Sequence, residues 1–69
     1  MMKLTDLAPG DRGVLLSVPN TLLPFSLRPG NCVSLVMNRP ELSVVDADGA
    51  RFALSGELAR QIIITKLRA

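Results

Sequence analysis

Apolar and polar residues alternate along most of this chain, and Pro and Gly interrupt the alternation at regular places. In Val14-Leu-Leu-Ser-Val18, residues Val14, Leu16 and Val18 share one face while Leu15 and Ser17 share the other, which predicts a strand. Gly13 at its start suggests a bulge or a close backbone approach. Cys32-Val-Ser-Leu-Val-Met37 gives the clearest strand, with Val33, Leu35 and Met37 on one side and Cys32, Ser34 and Val36 on the other. Leu42-Ser-Val-Val-Asp46 and Arg51-Phe-Ala-Leu54 are two more, and the β-branched run Ile62-Ile-Ile64 is a buried closing strand.

The interruptions supply the corners. The stretch Leu4-Thr-Asp-Leu-Ala-Pro-Gly-Asp-Arg-Gly-Val14 is answered further along by Leu27-Arg-Pro-Gly30. In each, Pro presets φ at one turn position and Gly accepts the positive φ of a type II turn at the next, so both feed strands. Asn38-Arg-Pro-Glu41 is a turn because Pro40 does not suit a central strand, and Asp48-Gly49 is the strongest hairpin signal. Leu4 and Leu7 close one end of a core. Asn20 is placed to cap a short helical turn through Thr21, Leu22 and Leu23, and Ser55 to cap another running to Arg60, with Glu57 near its positive end. Lys66 to Ala69 reads as a solvated tail. Five short strands joined by turns make the chain mainly β: a small five-stranded SH3-like barrel with one or two short helical turns. No internal repeat, linker or low-complexity segment divides residues 1–69, which form a single domain.

Composition narrows the picture. At 69 residues with 48% hydrophobic positions the chain folds around a core, and with only Phe25 and Phe52 as aromatics that core is aliphatic. The lysines and arginines are scattered singly and no Trp or Tyr offers a stacking platform, which argues against nucleic acid as a partner. The N-terminus reaches Asp6 without an apolar run, so it does not read as a signal peptide, and no stretch has the length of a membrane span. One cysteine provides no disulfide framework, and the expected location is cytoplasmic.

Candidate chemistry is sparse. Histidine is absent, which removes the usual general base and the commonest transition-metal ligand. Cys32 reads as a packing residue from its strand position. Asp46-Ala-Asp48-Gly49 starts like a calcium loop, but Arg51 stands where such a loop needs Gly, so the hairpin reading is preferred. Asp6 and Asp11 read as turn residues that accept hydrogen bonds from nearby backbone. Gly10-x-x-Gly13 precedes a strand and lacks the Lys-Ser/Thr ending of a phosphate loop. The chain is expected to be non-enzymatic, with no catalytic residues, no metal site and no cofactor. The apolar stretch Leu22-Leu-Pro-Phe-Ser-Leu27 is the feature with an external role to fill, divided between packing over the barrel and docking a partner.

The order Leu4-x-x-Leu7-x-x-Gly10-x-x-Gly13-x-Leu15, then Leu22-Leu23-x-x-x-Leu27-x-Pro29-Gly30, then Arg51-Phe-Ala-Leu54, resembles the ferrous iron transport protein A (FeoA) family from Leu4 to about Ile64. That resemblance implies an SH3-like barrel acting as a cytoplasmic accessory to the membrane ferrous-iron transporter (FeoB), with the transporter's cytosolic GTP-binding domain as partner. Similar domains end iron- and manganese-dependent transcriptional repressors. The chain departs from the family in having a shortened helix before Pro29-Gly30, Thr21 ahead of the Leu pair, Phe25-Ser26 where Leu-Gly is usual, and a short Arg39-Pro-Glu-Leu42 turn. The expected function is regulation of ferrous iron uptake by protein–protein interaction, without membrane insertion. Its partner-binding residues are Leu22, Leu23, Phe25 and Leu27, and exposed strand edges also allow a homo-oligomer. Two alternatives compete: a small-barrel nucleic-acid binder using Arg28, Arg39 and Arg51 on one rim, and a metal-sensing module.

Overall fold

Both Pro-Gly corners form as the residues dictate. In a computed structural model that describes residues 2–22 and 27–67, Gly10 and Gly30 each adopt φ +95°. The Asp11 N–H donates to the Ala8 carbonyl at 2.9 Å, and the Asn31 N–H donates to the Arg28 carbonyl at 3.1 Å. The two turns launch the strands β2, Arg12–Ser17, and β3, Cys32–Arg39. These two pair antiparallel with Gly13 opposite Val33.

Around them lie β1 (Met2–Lys3), β4 (Leu42–Ala47), β5 (Ala50–Ser55) and β6 (Ile63–Leu67), with helix α1 (Gly56–Ala59) between β5 and β6. The hydrogen-bonded order is β1-β6-β2-β3-β4-β5, every neighbouring pair antiparallel. Register shifts between Leu15 and Ser17 and between Leu35 and Met37 let the sheet curl on itself. The two-residue strand β1 was not expected; it extends the sheet beside Ile63 and Ile64. The solvated tail expected from Lys66 is also corrected: Lys66 and Leu67 pair with Gly13 and Arg12 as the end of β6, while residues 68–69 lie outside the described residues.

The core is aliphatic: Leu4, Leu7, Leu15, Leu22, Leu27, Val33, Leu35, Val45, Leu54, Ile62 and Ile64, with Ala47 and Ala59. Leu4 and Leu7 enter it from a 3-10 turn, Leu4–Asp6, as their spacing predicts. The Asp48-Gly49 hairpin has positive φ at both residues (52° and 78°), the type I′ geometry its sequence asks for. Ser55 caps α1, its hydroxyl accepting from the Leu58 N–H at 3.2 Å. Asn20 opens a 3-10 turn, Asn20–Leu22, as its first residue and not as its cap.

Leu7-x-Pro-Gly-Asp11 and Leu27-x-Pro-Gly-Asn31 match as a short repeat within the one sheet, and they feed strands whose inward leucines are Leu15 and Leu35 respectively. Both copies of the first leucine are core residues, so the repeat is structural as well as sequential.

Candidate functional site

The four residues expected to meet a partner do not form one exposed patch. Leu22 and Leu27 are buried members of the core, at 6% and 1% exposure, so they are corrected to packing residues. The physical reason is size: a barrel this small needs both ends of its longest loop for apolar cover. Leu23 and Phe25 lie outside the described residues. On β2, the strand leading into this segment, Leu16 is an exposed large apolar side chain at 44%.

A second surface was not anticipated. At the end of β3, the Asn38 side-chain amide donates to the carbonyls of Thr5 at 2.9 Å and Leu7 at 3.2 Å. The Asn38 side-chain oxygen accepts from the Ser43 hydroxyl at 3.2 Å, which satisfies the polar side chain that, among the described residues, is sealed in the core. Asn38 thus ties the first 3-10 turn to the β3–β4 hairpin. The sequence signal was Ser43, which shares the inward parity of Val45 and Ala47 and therefore needs a hidden partner.

Beyond Asn38 the hairpin turns at Pro40-Glu41 and presses against α1. The Gly56 N–H donates to the Glu41 carbonyl at 3.0 Å, and a Cβ on Gly56 would sit 1.9 Å from the Pro40 oxygen. The approach is possible only because residue 56 has no side chain. Arg60, following α1, donates from Nη1 to that same Pro40 carbonyl at 3.3 Å. Thr5, Asn38, Arg39, Pro40 and Arg60 line a cleft of about 290 Å³.

The remaining candidates sort themselves by position. Arg28, Arg39 and Arg51 do not share a rim. Arg39 pairs with Leu42 at the Pro40 end of β4, whereas Arg51 pairs with Asp46 near the opposite end. The Arg51 guanidinium is also held by the Asp46 carboxylate at 3.0 Å. Asp6 and Asp11 act on the backbone: each accepts from the N–H three residues earlier, Lys3 and Ala8, at 3.0 Å. Asp11 is held below its ordinary pKa, chiefly by the Ala8 N–H and then, against a smaller cost of desolvation, by Lys66 at 3.4 Å. Cys32 is exposed at the start of β3, which corrects its reading as a packing residue. The reason is strand parity: Val33 takes the inward position beside it. Among the described residues no three His, Cys, Asp or Glu side chains come together. No helix among them is long and apolar enough to cross a membrane.

Neither protein-family models nor curated proteins give a match to this sequence. Solved structures do. The crystal structure of an iron uptake regulatory protein (FeoA) superposes with a TM-score of 0.85 at 25% identity, covering 96% of this chain and 97% of that one. The solution structure of the FeoA protein from Chlorobium tepidum gives 0.87 at 24% identity, over 97% of this chain and 71% of that one. A manganese-dependent transcriptional repressor gives 0.85 at 16% identity, with 41% of its length covered, a likeness of fold alone. The chain has the SH3-like fold of the FeoA structures, as the order of its leucines and glycines implied.

Proposed function

We propose that this protein is a non-enzymatic, cytoplasmic regulator of ferrous iron uptake that works by binding the cytosolic GTP-binding domain of the membrane ferrous-iron transporter. One observation carries the reading. The likeness to an iron uptake regulatory protein extends over 96% of this chain and 97% of that one. The contact surface is the segment joining β2 to β3. Its ends, Leu22 and Leu27, are anchored in the core, and in this reading Leu23 and Phe25 make the contact with the partner. The exposed Leu16, on the strand that leads into this segment, supports the same reading.

Pull-down or calorimetry with the isolated cytosolic domain of the transporter tests it. Leu23→Asp combined with Phe25→Asp should abolish binding while the circular dichroism spectrum and unfolding midpoint stay unchanged. Full binding by that folded variant removes this surface, and no binding by the natural chain removes the partner.

A further inference from the structure

The cleft at the Pro40 turn has a chemistry that the uptake reading does not use. We propose that it binds a phosphate-type oxyanion between the guanidinium groups of Arg39 and Arg60. Two cationic side chains line one cleft of about 290 Å³. Among the described residues the ion pairs are Arg51 with Asp46 and Lys66 with Asp11, so neither cleft arginine is neutralised by a carboxylate. The acids nearest in sequence to the lining residues are Asp6, Glu41 and Glu57, and none of the three lines the cleft.

Like charges facing one concavity raise its potential and concentrate counter-ions there. Their chemistry selects the ion. The planar fork of a guanidinium matches paired oxygens, and two forks together supply donors for a tetrahedral oxyanion better than for a single carbonyl. Arg60 spends one N–H on the Pro40 carbonyl, leaving most of its donors unused. Thr5, a residue with a neutral hydroxyl donor, also lines the cleft. The Asn38 amide does not compete, because both the Thr5 and Leu7 carbonyls already occupy it.

The walls are held in place before any ligand arrives. Arg39 belongs to the paired end of β3, opposite Leu42. Arg60 follows α1, its N–H bonded to the Gly56 carbonyl. The contact of Gly56 with the Pro40 carbonyl, together with the Gly56 to Glu41 hydrogen bond, fixes α1 against the hairpin. The cleft of about 290 Å³ lies near the small end of ligand pockets and has room for one phosphate-type group.

The test is an amide NMR titration of the whole chain at low ionic strength, with inorganic phosphate in one arm and ATP in the other. Saturable shifts centred on Thr5, Asn38, Arg39 and Arg60 are expected. Saturation by both probes assigns recognition to the phosphate group itself, and saturation by ATP alone assigns it to a nucleotide-borne phosphate. Arg39→Gln with Arg60→Gln should weaken binding by about tenfold or more, the loss expected when charge-assisted hydrogen bonds are removed. A control that loses the same charge elsewhere, Arg12→Gln with Arg51→Gln, should stay within about twofold, since exposed charges away from the cleft are screened. Absence of saturable shifts with either probe overturns the proposal. Equal weakening by the two double variants also overturns it, because that pattern belongs to net charge and not to a site.

Discussion

The corner at Pro9-Gly10 and the corner at Pro29-Gly30 use the same hydrogen bonds in the same order. The Gly10 N–H donates to the Leu35 carbonyl at 2.8 Å, and the Leu35 N–H returns to the Asp11 carbonyl at 2.9 Å. The Gly30 N–H donates to the Leu15 carbonyl at 2.7 Å, and the Leu15 N–H returns to the Asn31 carbonyl at 2.8 Å. Each corner is therefore bonded to the strand that the other corner launches. The two halves interlock about a local two-fold axis that passes where Gly13 faces Val33. Their backbones are alike, but their neighbours are not. β2 lies between β3 and β6, whereas β3 lies between β2 and β4. A repeated backbone placed in unequal surroundings requires different side chains at equivalent positions, and those positions are where the likeness breaks.

The sharpest break is at the axis. A Cβ on Gly13 would lie 3.0 Å from the Thr65 carbonyl oxygen and 3.2 Å from the Ile64 Cδ1, while its counterpart Val33 is a core residue at 1% exposure. Making the halves identical by Gly13→Val forces a branched side chain against the backbone of β6. The expected loss is about 3 kcal/mol, at the upper end of overpacking costs. For a domain of this size that is most of its stability, so the variant should be largely unfolded at room temperature. Urea unfolding followed by circular dichroism decides it, and a midpoint unchanged from the natural chain refutes the close approach.

The next effect should be equal in the two halves. Gly10 and Gly30 share φ +95° and a Cβ at either would meet nothing within 4 Å. The cost of Ala is then purely that of left-handed backbone, about 1–2 kcal/mol at each position. Two such variants measured side by side test the symmetry. A difference between them greater than about 1 kcal/mol, beyond the usual scatter of single-site measurements, would show that one corner carries a constraint the other lacks.

The same comparison explains what could be read from the residues. The corners, the Asp48-Gly49 hairpin and the Ser55 cap are local: a few adjacent residues fix φ or satisfy an N–H, and the chain spells them out. The aliphatic character of the core was legible too, and the period-two pattern set Leu15 apart from Leu16 and Val33 apart from Cys32, but it did not say which face is buried. What stayed hidden depends on distant partners. Whether Leu22 and Leu27 face a partner or the core depends on how much area the barrel lacks, which no spacing reveals. Cys32 carries the same alternation as Val33, and only the sheet's curl decides which of them turns inward. The cleft is the extreme case. It brings together Thr5, Asn38, Arg39 and Arg60 from three separate parts of the chain, and its glycine, Gly56, looks like an ordinary residue at the start of a helix until Pro40 is placed against it.

The smallest effect distinguishes the corners by charge. Asp11 and Asn31 occupy equivalent positions, yet only Asp11 has a carboxylate, which accepts from the Ala8 N–H and meets Lys66 of β6. Asp11→Asn makes the first corner resemble the second, keeping an oxygen for the Ala8 N–H while removing the charge. The folded state holds the Asp11 pKa below its ordinary value of 3.8, so folding favours the ionised carboxylate. The stabilisation is therefore complete above about 3.8 and is lost as the pH falls through the lower, folded-state value. The natural chain should be slightly more stable than Asp11→Asn at neutral pH, and the two should converge in acid. The part due to Lys66 should also shrink at high salt, because both side chains are substantially exposed, while the part due to the Ala8 N–H persists. Parallel unfolding curves at neutral and acid pH, each at low and high salt, separate the two contributions. A stability difference that does not change with pH would mean that Asp11 serves the corner by shape alone, and that the two corners are equivalent in charge as well as in backbone.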